Sequence, residues 1–171
     1  MNQQAYDAIE NAWENHVKAR ALCPWLKDTA LNATKITSAR YYQQRQVKYT
    51  ILLSKPLAMS DIAEFREIAE FMNRSFVIHI FAILQEHGVI PNHTEVNESL
   101  DGGLHAKLAK RLRNLFAHGY PAAYIPSKDF HDAAKLIWDK LFPSIPPFEL
   151  HIDKVLEPLK DGVLRYVNSK S

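Results

Sequence analysis

Apolar residues recur at helical spacing over several long stretches of the chain. In the first stretch the recurring residues are Ala5, Ile9, Ala12 or Trp13, His16 or Val17, and Arg20 or Ala21. Cys23 and Pro24 then end the run, because the residue before a proline avoids the helical conformation. The pattern predicts a first helix from Gln3 to Leu22.

A longer apolar stripe predicts the central helix of the fold. Ser60 is expected at its N-cap, with Asp61 in its first turn, since both side chains can accept hydrogen bonds from free backbone N–H groups. Gly88 is expected to end this helix. Its apolar positions are Ile62, Phe65, Ala69, Met72, Phe76, Ile80 and Ile83.

The polar stretch from Pro91 to Gly103 predicts a loop. A helix follows, whose apolar positions are Leu104, Leu108, Leu112 and Leu115 or Phe116. Gly119 and Pro121 are expected to end it. The remaining positions of this helix are rich in lysine and arginine, so it is predicted to be amphipathic.

Two further helices are predicted in the last third of the chain. Ser127 or Asp129 is expected to cap the first of them. Its inward positions are Phe130, Ala134, Ile137 or Trp138, and Leu141. A rigid extended linker, PSIPP, leads into the last helix, from about Glu149 to Val167, which Pro158 and Gly162 are expected to interrupt.

The segment between the first two helices has a weaker pattern. Asp28 is expected to cap a short helix over Ala30 to Ala33. Further on, the alternation of Val47, Tyr49, Ile51 and Leu53 is typical of a strand. Because an isolated strand has no partner with which to pair, we predict that Tyr41 to Leu53 is helical. The chain is therefore predicted to be an all-α bundle of five to six helices in one domain, 1–171.

The composition is typical of a globular protein in a reducing compartment. Hydrophobic residues make up 47% of the chain and charged residues 23%. Cys23 is the sole cysteine, so no internal disulfide can form. The N-terminus is polar, and the longest apolar stretch, Phe76 to Leu84, is too short to cross a bilayer. We expect a cytoplasmic protein with no membrane partner.

Few sequence patterns indicate chemistry. The net charge is +2, so any affinity for nucleic acid must come from local clustering of cations. The sequence has no glycine-rich phosphate loop, no HExxH and no pair of histidines with carboxylates at metal-ligand spacing. No cofactor and no metal site are predicted. The densest polar chemistry is RNLFAHGY, from Arg113 to Tyr120, at the end of the basic helix.

Arg113 and His118 suit the cleavage of RNA without a metal ion. A histidine titrates near neutral pH, so it can accept the proton of a 2′-hydroxyl or protonate the leaving 5′-oxygen. An arginine can hold the scissile phosphate through two donors and stabilise the charge that develops on it. Asn114 can bind the same phosphate or fix the arginine. Upstream, Lys107, Lys110 and Arg111 are expected to contact the RNA backbone without reading its sequence.

The spacing of the two residues bears on how the site is assembled. Arg113 and His118 are five positions apart, so they lie about 140° apart around a regular helix. Either the helix frays at His118, or the pair acts together with a second copy of the chain across a two-fold axis. Arg74 and His79 have the same spacing. Because those two lie in an apolar stretch, they are interpreted as the flank of a helix that packs against its neighbours.

RNLFAHGY resembles the signature of HEPN domains, in which an arginine is followed after a few residues by a histidine. The similarity extends to the order of a long apolar helix, a polar loop and then the motif. The resemblance implies an all-α fold and a homodimer with the active site at its interface. It also implies a metal-independent endoribonuclease (a hydrolase) of a toxin–antitoxin or phage-defence system, with RNA as substrate and an antitoxin or other regulatory protein as a further partner.

By the same resemblance, Arg113, Asn114 and His118 match the catalytic motif. Tyr120 matches a subgroup of HEPN toxins in which a partner nucleotidyltransferase modifies that tyrosine, although Pro121 departs from the subgroup's pattern. The segment 143–171 has no counterpart in the resemblance and is expected to be a family-specific addition.

Two other functions are compatible with the sequence. One is a non-catalytic HEPN-like module that binds a nucleotide or a protein partner. The other is a helical interaction protein in which Arg113 and His118 bond the carbonyls at a helix end and carry out no chemistry. Arg113 and His118 side chains that are open to solvent at a symmetric interface would favour the enzyme, whereas side chains that are buried and satisfied within one subunit would favour the helical interaction protein.

Overall fold

The computed structural model describes residues 2–92, 94–117 and 128–170. The α-helices in these ranges are α1 (Gln3–Leu22), α2 (Arg40–Gln43), α3 (Met59–Glu86), α4 (Gly103–Ala117), α5 (Lys128–Leu141) and α6 (Glu157–Ser169). Two short strands, β1 (Lys35–Thr37) and β2 (Thr50–Leu52), form a sheet. The predicted helical class is confirmed. None of the helices in the described ranges has the length and apolar character needed to cross a bilayer.

The chain divides into two compact units. The first contains the residues up to Ala12 together with those from Arg74 onward, and the second contains Trp13–Asn73. Helices α1 and α3 contribute residues to both units. In the first unit, a partly buried ion pair joins α1 to α6, with Lys160 Nζ 3.2 Å from Glu10 Oε1.

The prediction that Tyr41–Leu53 is helical is wrong for most of this segment, because its end forms a strand of the sheet in the second unit. Only α2 is helical there, and β2 pairs antiparallel with β1, so that Ile51 faces Ile36. The partner strand comes from the β-branched stretch around Ile36. Just before it, a short helix was predicted over Ala30 to Ala33, but only a 3₁₀ turn at Asp28–Ala30 forms. The buried side chains beneath this sheet are Leu26, Ile36, Leu57 and Ile62.

The start of α3 differs slightly from its prediction. The helix begins at Met59, so Ser60 lies in its first turn instead of at the N-cap. Asp61 performs the capping, because its Oδ2 accepts a 2.8 Å hydrogen bond from the Ala58 N–H. Gly88 adopts a left-handed conformation (φ +65°) just after the helix, as expected for a helix end.

In the first unit, α4 packs against both α5 and α6. The closest approach is at the start of α4, where Gly102 lies against the backbone of Gly162 and Tyr166. The ring of His105 covers Gly162, which leaves no room for a side chain at position 162. The predicted interruption at Gly162 is therefore wrong, since this glycine lies inside a continuous helix and allows α4 to approach. Pro158 stands in the first turn of α6, where proline is tolerated.

The PSIPP segment is not the extended linker that was predicted. It forms turns that fold back onto α5, where Trp138 Nε1 donates a 3.0 Å hydrogen bond to the Ile145 carbonyl. Phe148 packs edge-on against the same indole, with ring centroids 5.6 Å apart. The buried indole of Trp138 thus fixes the chain direction between α5 and a π-helical turn at Ile152–Leu156 that leads into α6.

Candidate functional site

Helix α4 presents the predicted RNA-binding residues on one side. Lys107, Lys110 and Arg111 are partly exposed and occupy positions i, i+3 and i+4, which face the same direction on a helix. We call these three residues the basic stripe. Asn114 continues the stripe toward the motif at position i+7. The amphipathic character of α4 thus places Lys107, Lys110, Arg111 and Asn114 on the same side of the helix.

Arg113 lies beside the end of the basic stripe and is oriented by its neighbour. Its Nη1 donates a 2.9 Å hydrogen bond to Oδ1 of Asn114, and both side chains are partly exposed. A guanidinium has five N–H donors, so this bond orients the group and uses only one of them. His118 and Tyr120 lie outside the described residues. The structure therefore brings Arg113 and Asn114 together, and the place of His118 stays a prediction.

The two lysines of the basic stripe are paired with carboxylates. Lys107 forms an ion pair with Glu98. Lys110 Nζ lies 3.6 Å from Glu95 Oε1 and donates a 3.0 Å hydrogen bond to the Thr94 carbonyl. These pairings were not predicted. The available signal was the pair of glutamates in the loop that directly precedes a helix with a basic face.

Arg74 and His79, the second Arg–His pair, were interpreted as a helix flank that packs against its neighbours, and only Arg74 does so. Arg74 lies on the face of Phe116, with its guanidinium carbon 5.8 Å from the ring centroid, so it does pack against a neighbouring helix. His79 is exposed, which is not what its apolar flanks indicated. The contact places Arg74 beside α4 at the turn that holds Arg113. A basic residue next to the motif was thus missed, because nothing in the sequence indicates that position 74 meets position 116.

A separate polar cluster is buried in the second unit, around the end of α1. Arg20 Nε donates a 2.9 Å hydrogen bond to Asn73 Oδ1, and its Nη1 bonds the Cys23 carbonyl. Burial lowers the pKa of the Arg20 guanidinium. The pKa of the His16 imidazole is lowered to about 4, mainly by burial and then by the charge of Arg20. A hydrogen bond with Asn73 acts in the opposite direction and raises it. His16 and Arg20 had been placed on the apolar stripe of the first helix, which was the sequence signal for this cluster.

The pKa of His16 predicts a loss of stability in mild acid. The imidazole is neutral in the folded protein down to about pH 4, whereas in the unfolded chain it takes up a proton below about pH 6.5. As the pH falls through this window, the unfolded state binds the proton and is stabilised relative to the folded state. We expect this to remove about 3 kcal/mol from the free energy of unfolding. Urea denaturation at several pH values measures the effect, and His16→Gln should flatten the pH dependence. Equal slopes for the two proteins would exclude this role of His16.

The described residues bring together no group of three or more His, Cys, Asp or Glu side chains that could hold a metal ion. His105, which lies on α4, packs against α6. Burial is the main cause that lowers the pKa of the His105 imidazole, and the charge of Arg165 lowers it further. The nearby carboxylates of Asp101 and Asp161 raise it by a smaller amount. Along the described part of α4, the groups available for chemistry are thus mainly arginine, lysine and amide groups.

That chemistry is best described as a surface for anions. The guanidinium of Arg113 is oriented by Asn114, the basic stripe leads up to it, and Arg74 stands close by on Phe116. Arginine and lysine groups in such a row bind phosphates or carboxylates. Comparison of the chain with protein-family models, with curated proteins and with solved structures finds no match.

Proposed function

We propose that this protein is a metal-independent endoribonuclease of the HEPN type, active as a homodimer. The observation that carries the proposal is the RNLFAHGY motif at the end of an amphipathic helix, where Asn114 orients Arg113 through a 2.9 Å hydrogen bond. A carboxylate partner would neutralise this guanidinium, whereas the neutral amide leaves its charge in place for a phosphate.

Arg113 binds the scissile phosphate in this proposal. Its planar donors can contact two phosphate oxygens at once, and the charge on those oxygens increases as the 2′-oxygen attacks phosphorus. The Asn114 amide limits the rotation of the guanidinium, so that less side-chain entropy is lost when the phosphate binds. Arg74, on the neighbouring face of Phe116, adds positive charge to the same region.

His118 carries out one of the two proton transfers, and water carries out the other. It either removes the proton from the 2′-hydroxyl as the 2′-oxygen attacks phosphorus or protonates the 5′-oxygen as the P–O5′ bond breaks, and the products are a 2′,3′-cyclic phosphate and a 5′-hydroxyl. Positions 113 and 118 would lie about 140° apart around a regular helix, so we propose that Arg113 of one subunit acts with His118 of the other across a two-fold axis. A toxin or defence role, with an antitoxin as regulatory partner, is the biological setting that the motif favours.

The test is RNA cleavage by the purified protein in the presence of EDTA. We expect products that end in a 2′,3′-cyclic phosphate and a 5′-hydroxyl, because the 2′-oxygen is the nucleophile and no metal-bound water takes part. Mass spectrometry of the fragments identifies both ends. An RNA that stays intact would favour a non-catalytic binding module. Fragments with a 3′-hydroxyl would indicate another mechanism.

A further inference from the structure

Two glutamates in the loop before α4 form ion pairs with the two lysines that the proposed function assigns to RNA binding. Glu98 pairs with Lys107, and Glu95 lies 3.6 Å from Lys110. Both glutamates belong to the short segment Thr94–Glu98, which we call the acidic strap. The lysines that were predicted to contact phosphates thus contact carboxylates of the same chain.

The backbone of the acidic strap is fixed while its carboxylates remain accessible. Val96, between the two glutamates, is buried, and the Thr94 carbonyl accepts a hydrogen bond from Lys110. The side chains of Glu95 and Glu98 are 79% and 45% exposed. Exposed ion pairs of this kind are weak. A phosphate can therefore replace either carboxylate by a side-chain rotation, without unfolding the strap.

The positive charge around the acidic strap extends beyond α4. The hydrogen bond from Lys107 is the main cause that lowers the pKa of the Glu98 carboxyl, and the charges of Lys140 and Arg111 act in the same direction. Lys140 is exposed near the C-terminal end of α5. The cations spaced along α4 at positions 107, 110 and 111 fit a polyanion better than a single small anion.

We propose that this surface binds the RNA backbone, and that Glu95 and Glu98 compete with the RNA phosphates for Lys107 and Lys110. The inference rests on RNA as the ligand of the proposed function and adds its phosphate-binding surface and the regulation of that surface. The acidic strap lowers the affinity for RNA, so that only a ligand with several phosphates in a row displaces both carboxylates.

The test measures binding instead of cleavage. A short fluorescein-labelled RNA with 2′-O-methyl riboses cannot be cut through its 2′-oxygen, and its Kd follows from fluorescence anisotropy at low salt. For Glu95→Gln/Glu98→Gln we expect a Kd about fivefold to tenfold lower than that of the wild type. The difference should shrink at high salt, because the competing charges are screened.

A matched control separates local competition from a general effect of charge. Glu14→Gln/Glu67→Gln changes the net charge by the same amount, but it removes carboxylates from α1 and α3. The control should leave the Kd nearly unchanged. An equal fall in Kd for both double variants, no change in either, or no binding of the RNA by any of the proteins would overturn the proposal.

Lysine variants test the same surface in the opposite direction. Lys107→Gln/Lys110→Gln should raise the Kd more than tenfold and reduce the slope of log Kd against log salt by about two, one for each lost phosphate contact. A slope equal to that of the wild type would contradict the assignment. All of these measurements are independent of cleavage. If the glutamate variant binds RNA more tightly but no protein cleaves RNA, the proposed function is rejected and this inference stands. If the wild type cleaves RNA but the Kd is the same for all variants, this inference is rejected and the proposed function stands.

Discussion

A mixture of Arg113→Ala and His118→Ala subunits should cut RNA, although neither variant does so alone. Each substitution is expected to lower the rate by about 10²–10⁴-fold, because it removes either the phosphate ligand or the proton-transfer group. In a mixed dimer, one of the two symmetric sites receives an intact arginine from one chain and an intact histidine from the other. Random pairing then restores up to about a quarter of the wild-type rate.

The control for this experiment replaces one partner by the double variant. Arg113→Ala subunits paired with Arg113→Ala/His118→Ala subunits contain no intact arginine, so they should remain inactive. The subunits are produced together so that mixed dimers form. Wild-type cleavage with no recovery in the first mixture would show that the two residues act within one chain, and would reject the site shared between subunits.

Gly102→Ala should strongly destabilise the first unit. Gly102 has φ +74°, which disfavours any side chain, and an added Cβ would overlap the Gly162 carbonyl oxygen and lie 2.7 Å from the Tyr166 nitrogen. Both neighbours are backbone atoms of α6, so the clash can be relieved only by moving α4 away from α6. We expect a loss of about 3–5 kcal/mol in the free energy of unfolding. Thermal or urea denaturation, followed by circular dichroism, measures it.

Gly88→Ala separates the two causes of this loss. Gly88 has nearly the same backbone conformation, φ +65°, but an added Cβ would meet nothing within 4 Å. This substitution should therefore cost only the conformational strain, about 1–2 kcal/mol. Equal losses at both positions would mean that the close approach of α4 to α6 contributes nothing to stability.

The fold was predictable where periodicity and helix-end signals agree. The bounds of α1 and the end of α3 before Gly88 follow from apolar spacing and from local backbone preferences. The sheet was not predictable, because the strand at Thr50–Leu52 becomes stable only through its pairing with Ile36, which a local pattern does not show. In the same way, Gly162 resembles a helix break in sequence and becomes a packing position only when His105 lies over it.

The candidate site was predictable in its residue types and not in its surroundings. The position of Lys107, Lys110 and Arg111 on one side of α4 follows from helical geometry alone. Their pairing with Glu95 and Glu98 depends on the path of a loop, for which there is no periodic signal. The contact of Arg74 with Phe116 depends on how helices pack. Residues within one helix could be grouped from the sequence, and residues joined across helices could not.

The central claim is that the motif from Arg113 to Tyr120 cuts RNA without a metal ion. Its most direct test is the rate of RNA cleavage in EDTA by the wild type, by His118→Ala and by His79→Ala, whose histidine has the same spacing from an arginine and is exposed. We expect cleavage by the wild type and by His79→Ala at similar rates, and a rate about 10²–10⁴-fold lower for His118→Ala. Cleavage by His118→Ala at the wild-type rate, or no cleavage by the wild type, would contradict the claim.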